Sequence, residues 1–259
     1  MRLDWYTLTY NEQDVVPYVV DYWRKLISDG IDLHVYIYDN YSTDNTVKLL
    51  SQYPWITIRY FKTDGMNDIV QAQIKNNCWQ ESKGRADYVC LSDFDEMLWG
   101  DLSSVLQEMK ENGCNVLGTP WYAFCGSEMP EYTEGKYLHQ LVKRGYKQYI
   151  NHSPQFKHLG KFMILDPNIT ESTHFSVGCH ILYDIKPYFK LHITDKVTAF
   201  HINKGLSEDY FFNKRNKMGK RLSDTNLKYK MCVEYTYPED KIRQEYRDYQ
   251  AQSIDISSF

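Results

Sequence analysis

Three carboxylates, Asp93, Asp95 and Glu96, fall within four positions directly after the apolar run Tyr88-Val89-Cys90-Leu91. A short apolar run bounded by polar residues is the pattern of a buried strand, and acids crowded at its end serve chemistry rather than packing. Their oxygens suit a hard divalent cation, and a cation held there can in turn hold a diphosphate. In a parallel α/β sheet, ligands collect outside the carboxyl ends of the strands, so this edge is where the chemistry is expected.

The elements that must position these acids follow from the hydrophobic pattern. Leu3 to Thr9 reads as a first strand that ends in Tyr10-Asn11-Glu12. A helix follows, with Val16, Val19, Val20, Trp23, Leu26 and Ile27 on one face, Pro17 in its first turn and Gly30 as its stop. Leu33 to Tyr38 is a second strand ending in Asp39-Asn40, and Ser42 or Thr43 is expected to cap the short helix after it. Ile56 to Phe61 is a third strand, and a helix from about Asp68 to Glu81 carries Gln71 and Lys75 one turn apart. The acid-bearing strand is fourth, Leu102 to Glu111 is a helix, and Val116 to Tyr122 is a fifth strand.

Strands alternating with helices of this length predict an α/β fold whose parallel sheet is covered on both faces. From Ala123 to about Leu165 the pattern dissolves into an aromatic, Gly- and His-containing loop, expected to be a lid or binding loop. Ile181 to Tyr183 and Val197 to His201 read as short strands, and Ser207 caps a helix from Glu208 to about Arg221. The expected organisation is one domain over 1–222, with halves 1–122 and 123–222, and a C-terminal tail over 223–259, amphipathic from about Val233.

Asn11, Glu12, Asp39, Asn40, Asp93 and Asp95 therefore all fall at the carboxyl ends of predicted strands. A lone D-x-D is weak evidence, whereas several polar clusters aimed at one edge define a site. With these residues in place, the chain resembles the family 2-like glycosyltransferases of the GT-A fold. The resemblance rests on Tyr10-Asn11-Glu12, on Tyr38-Asp39-Asn40-Tyr41-Ser42-Thr43-Asp44-Asn45-Thr46 and on Asp93-Phe94-Asp95-Glu96. They are similar to that family's N-E, D-N-x-S-x-D-x-T and D-x-D motifs and cover roughly the first 125 residues; His201 to Arg215 is a looser match to one branch.

What the resemblance implies is a Rossmann-like, mostly parallel sheet flanked by helices, with a C-terminal helical extension. Tyr10, Asn11, Glu12 and Asp39 would border the nucleobase and ribose of a sugar nucleotide, Asp93 would face the ribose or sugar, Gln71 and Lys75 would reach the diphosphate, and Asn40 and Phe94 would belong to the same nucleotide-sugar-binding set. Asp95 would bind Mn²⁺ or Mg²⁺ with help from His201, and the metal would neutralise charge on a departing nucleoside diphosphate. The alternative for His201 is a hydrogen-bonded structural histidine, and for Gln71 and Lys75 a solvated helix face. His180 resembles another recurring histidine of the branch.

An inverting transfer also needs a base for the acceptor hydroxyl, and Glu128 is the first candidate. Glu208 and Asp209 superficially match a base motif, but acids in the first turn after a Ser cap are explained by the helix dipole. A retaining enzyme would need no such base. The expected reaction moves a sugar, with a UDP-sugar the first donor to consider, to a hydroxyl of a glycan or lipid-linked glycan in surface polysaccharide biosynthesis. The alternatives are a D-x-D phosphatase or phosphotransferase, whose acids normally follow the first strand, and a non-catalytic sugar-nucleotide-binding protein. A nucleotidyltransferase would want a Gly-rich phosphate loop, and Tyr10 to Pro17 contains no glycine.

Composition bounds the rest. The 259 residues, 42% hydrophobic and 25% charged, are those of an ordinary globular protein, and a net charge of -4 argues against a nucleic-acid binder. The 23 tyrosines suit sugar grooves or half-buried packing on sheet faces. Lys214, Arg215, Lys217, Lys220, Arg221, Lys228 and Lys230 crowd one stretch, readable as a dock for anionic lipid or as a solvated helix face. The six cysteines lack any C-x-x-C pair, and no apolar stretch reaches the roughly 18 residues of a membrane span. A cytoplasmic protein, working at the inner face of the membrane, is expected, and the Asn168-Ile169-Thr170 sequon then carries no meaning.

Overall fold

The computed structural model describes residues 1–148, 161, 164–176, 182–183, 188–203 and 205–259. Its elements run β1 (Arg2–Thr9), α1 (Val16–Ser28), β2 (Asp32–Asp39), α2 (Thr46–Leu50), β3 (Ile56–Tyr60), α3 (Asp68–Asn77), β4 (Tyr88–Asp93), β5 (Glu96–Gly100), α4 (Leu102–Glu111), β6 (Val116–Gly118) and β7 (Trp121–Phe124). They continue with α5 (Leu138–Leu141), β8 (Arg144–Gln148), β9 (Ile164–Leu165), β10 (His174–Phe175), β11 (Leu182–Tyr183), β12 (Leu191–Ile193) and β13 (Val197–His201). The chain closes with α6 (Glu208–Gly219), α7 (Asp224–Lys228), α8 (Glu239–Ala251) and β14 (Ile254–Asp255).

Among the described residues a seven-stranded sheet has the order β12-β6-β9-β4-β1-β2-β3. β4, β1, β2 and β3 run parallel, and β9 is antiparallel to both β4 and β6. Both faces of β1 are buried because alternate side chains enter different layers: Trp5 packs with Trp23 of α1, while Tyr6 stacks on Tyr36 beside Trp79. Several tyrosines thus serve as core packing. Pro17 stands in the first turn of α1, and Gly30 ends it at φ 87°.

A second sheet, β14-β8-β7-β13-β5, lies beyond the carboxyl edge of the first. The expected fifth strand over 116–122 is in fact two strands in different sheets, broken at Thr119-Pro120, where proline cannot donate to a ladder. Likewise the expected loop from Ala123 to Leu165 holds the end of β7, α5, β8 and β9. The caps differ in one place: Asp44, not Ser42 or Thr43, accepts the Thr46 amide at the start of α2 (2.9 Å). Asn67 caps α3 and Ser207 caps α6 through the Tyr210 amide. α3 stops at Asn77, and a 3-10 turn covers Cys78–Ser82.

The last segment packs back instead of trailing. Ile242 and Tyr246 of α8 cluster with Phe211, the Tyr246 hydroxyl donates to the Gly126 carbonyl, β14 pairs with β8, and Ile256 is fully buried in the main core. Cys90, Cys114 and Cys232 are free thiols. No helix of the described residues is long and apolar enough to cross a membrane.

Candidate active site

Strand register builds the site. Leu8 pairs with Asp93 and Thr9 with Asp39, so β1, β2 and β4 end level and deliver 10–12, 39–40 and 93–96 to one edge. At Phe94-Asp95 the chain leaves the first sheet and enters the second, because β5 starts at Glu96. In that second sheet His201, the last residue of β13, lies opposite Glu96 on one side and Ala123 on the other. The D-x-D run is therefore the corner between two sheets, and His201 is brought to it by strand pairing.

Each acid at the corner has a cation. Asp93, with about a third of its side chain exposed, accepts from Lys75 on one oxygen and from Lys161 on the other (3.2 Å). Lys161 also reaches both oxygens of the buried Glu96 (2.9 and 3.0 Å), and Glu96 accepts the Asp93 amide (2.7 Å). Asp95 meets His201 Nε2 at 3.3 Å through Oδ1 and Lys214 Nζ at 2.9 Å through Oδ2. Lys214 continues to Glu12 Oε1 (3.1 Å), tying the end of β1 to the corner.

These pairings set the charge states. Burial alone would raise the Asp95 carboxyl, but Lys214 and His201 outweigh it and hold the group well below the usual carboxylate range. Burial pushes the Glu12 carboxyl up more than Lys214 draws it down. Burial likewise works against the Lys214 ammonium, yet Asp95 and Glu12 keep it well above the ordinary lysine range.

Asp95 Oδ1 and His201 Nε2 stand at the separation that adjacent ligands of a hard cation take, about 3 Å for bonds of about 2.1 Å. His201 Nδ1 is buried with no hydrogen-bond partner among the described residues, and Glu96 Oε1 is 3.8 Å from it. A metal-bound histidine usually directs its other ring nitrogen at a carboxylate, so the arrangement fits a divalent ion on the Nε2 side. Asp93, Glu96 and His201 also offer ligand atoms within 4.8 Å of one another, but the Lys161 ammonium already bridges the two carboxylates there. The Trp121 ring stacks on His201 at 5.3 Å and fixes its plane.

The other expected residues divide. The Arg221 guanidinium lies 3.2 Å above the centre of the Tyr10 ring. Asn11, at φ 53°, takes the Thr43 amide on its side chain (2.7 Å) and gives its own amide to Ser42 Oγ (2.9 Å), locking the first two strand-end loops together. Asp39 is fully buried, with both oxygens accepting from Ser42, and Asn40 bridges to Thr63. Both side chains thus shape the edge from beneath. Phe94, expected among the nucleotide-sugar-binding residues, has its ring buried in the core, edge-on to Trp23 at 5.8 Å, because the side chain between two outward acids must point inward.

Gln71 is half-buried on α3, and Lys75 is buried rather than solvated. Glu128 is exposed on the loop after β7, five positions beyond Ala123, the register partner of His201. Glu208 is claimed by Arg243 and Arg247 and Asp209 by Arg243, so both tie α6 to α8. His180 lies outside the described residues.

Sequence reasoning missed Lys161, the placement of Glu96, and the inward turn of Lys214 and Arg221. Lys161 sits in a stretch with no periodic signal. Lys214 looked like one member of a basic cluster, and a single lysine on a polar helix carries no mark of the face it occupies.

The model of the glycosyl transferase family 2 matches residues 5–189. Solved structures that resemble the chain include S. aureus TarS 1–349 in complex with UDP, 11% identical over 91% of this chain and 71% of that one, with a TM-score of 0.46. Another is the mannosyltransferase PcManGT from Pyrobaculum calidifontis in complex with GDP-Man and Mn²⁺, 10% identical over 96% of this chain and 74% of that one, with a TM-score of 0.48. No curated protein sequence matches.

Proposed function

The chain belongs to the glycosyl transferase family 2, and from that premise we propose that it transfers a sugar from a nucleoside-diphosphate sugar to a hydroxyl of a glycan or lipid-linked glycan, using Mn²⁺ or Mg²⁺. The observation that carries this reading is the corner itself: Glu12, Asp93, Asp95, Glu96 and His201 converge where the two sheets meet. Asp95 and His201 would hold the cation, which when bound supplies counter-charge for the leaving diphosphate. Tyr10 with Arg221, and the linked loops of Asn11 and Ser42-Thr43, would receive the nucleoside.

Lys75 and Lys161 hold the Asp93 carboxylate from both oxygens and would fix it toward the sugar side. Glu128 remains the proposed base of an inverting transfer, from the loop that begins beside His201. A surface-polysaccharide role at the inner face of a membrane is supported by the exposed Lys217, Lys220, Lys228 and Lys230. A UDP-sugar is the proposed donor.

The test is a thermal-shift panel of nucleoside diphosphates and UDP-, GDP-, CDP- and dTDP-sugars, with and without Mn²⁺, on wild type and Asp95→Ala. A donor at a hundred times its dissociation constant should add about 2.7 kcal/mol of stability. A Mn²⁺-dependent shift with one nucleotide, lost in Asp95→Ala, is expected; no shift with any nucleotide overturns the reading.

A further inference from the structure

The carboxylate that a divalent cation would take on Asp95 through one oxygen already faces an ammonium through the other. Lys214 Nζ lies 2.9 Å from Asp95 Oδ2 and 3.1 Å from Glu12 Oε1, beside the oxygen that faces His201. A dication on Oδ1 and an ammonium on Oδ2 would repel each other across one carboxylate and compete for its charge. We propose that Lys214 is a resident cation that neutralises Asp95 in the free protein and must leave this carboxylate for a divalent ion to bind tightly. This rests on the reading of Asp95 and His201 as metal ligands.

Three observations single out Lys214 from the other two lysines of the corner. Lys75 and Lys161 are 2% and 1% exposed, locked under the sheet edge, whereas Lys214 is 18% exposed and can swing outward on its own stem. The helix that carries it is anchored elsewhere. The neighbouring Arg215 holds Glu245 through two hydrogen bonds (2.7 and 3.0 Å) and Phe211 is buried against Tyr246, so the position of α6 does not depend on the Lys214 contacts alone.

The charge balance points the same way. Among the described residues, the carboxylates of Glu12, Asp93, Asp95 and Glu96 face the ammoniums of Lys75, Lys161 and Lys214. A dication on Asp95 would give this carboxylate a stronger counter-charge than the ammonium does. It also frees one ammonium at the site edge, where a diphosphate would arrive. Metal and donor binding are thereby coupled: the donor's phosphates give the displaced ammonium a new partner.

The experiment titrates Mn²⁺ into the full chain and follows the free ion by electron paramagnetic resonance, without donor, for wild type, Lys214→Met, Lys214→Arg and Asp95→Asn. Lys214→Met is expected to bind Mn²⁺ at least tenfold more tightly than wild type. Lys214→Arg, which keeps the competing charge, should stay near wild type, and Asp95→Asn should lose binding. Equal affinity in wild type and Lys214→Met, with loss in Asp95→Asn, overturns the inference and leaves the metal site standing. Absence of Mn²⁺ binding in both wild type and Lys214→Met overturns the inference together with the metal reading. Circular dichroism melts establish that each variant is folded, and Lys214→Gln carries the same expectation should Lys214→Met fail to fold.

Discussion

His201 Nε2 lies 3.3 Å from Asp95 Oδ1, although one closes β13 and the other sits in the two-residue step between β4 and β5. Strand register makes the contact: His201 pairs with Glu96, so its side chain cannot leave the corner without breaking the second sheet. Asp95→Asn and His201→Gln are each expected to lower the turnover number on the order of a hundredfold, the usual effect of losing one group that stabilises developing charge. Steady-state kinetics with the donor found in the nucleotide panel checks this. A variant that keeps full turnover would remove its residue from the site.

Lys161 and Glu96 form a pair with almost no solvent on either side. Removing only one partner leaves a buried charge alone, so Lys161→Met should cost about 3–5 kcal/mol in urea unfolding. The double change Lys161→Met with Glu96→Gln should recover much of that loss. A double variant as unstable as the single would mean that the cost is packing rather than charge.

Arg221 covers Tyr10, and its backbone carbonyl accepts the Met66 amide, so the end of α6 is clamped over the first strand-end loop. A cation over a tyrosine ring contributes about 1 kcal/mol, and Arg221→Ala should therefore raise the KM for donor roughly fivefold with little change in kcat. A fall in kcat at unchanged KM would place Arg221 in the chemical step instead.

His139 is buried against Phe200 and Trp99, and burial pushes its pKa down to about 4. The unfolded chain, near 6.5, binds this proton first, so the folded state loses stability as pH falls from about 6.5 toward 4, by at most about 1.4 kcal/mol per pH unit. The contribution is complete above that window. The melting temperature of wild type should fall relative to that of His139→Phe as pH drops from 7 to 4, and parallel curves would dismiss His139 as the source.

Lys228 and Lys230 flank Tyr229, which with Leu227 is among the most exposed large apolar residues of the protein. An anionic membrane attracts each such lysine by about 1 kcal/mol, so reversing Lys217, Lys220, Lys228 and Lys230 to Glu should abolish co-sedimentation with phosphatidylserine liposomes. Binding that survives the reversal would end the membrane proposal. Arg221, turned inward onto Tyr10, is left out of this set.

By itself the sequence determined the alternation of strands and helices and the places where strands end in acids, because hydrophobic periodicity and caps are local properties of the chain. Tyr10-Asn11-Glu12, Asp39-Asn40 and Asp93 to Glu96 were legible for that reason, and so were α4, β13 and the Ser207 cap. Tertiary structure alone decided that the D-x-D run is a corner between two sheets, that Val116 to Tyr122 is split between them, and that Phe94 faces inward. It also decided which lysines meet which acids. Lys75, Lys161 and Lys214 come from distant stretches, and the energy that selects them arises only when burial removes water from Asp95 and Glu96, and in part from Asp93, and leaves them to be neutralised by whatever cation the fold brings within reach.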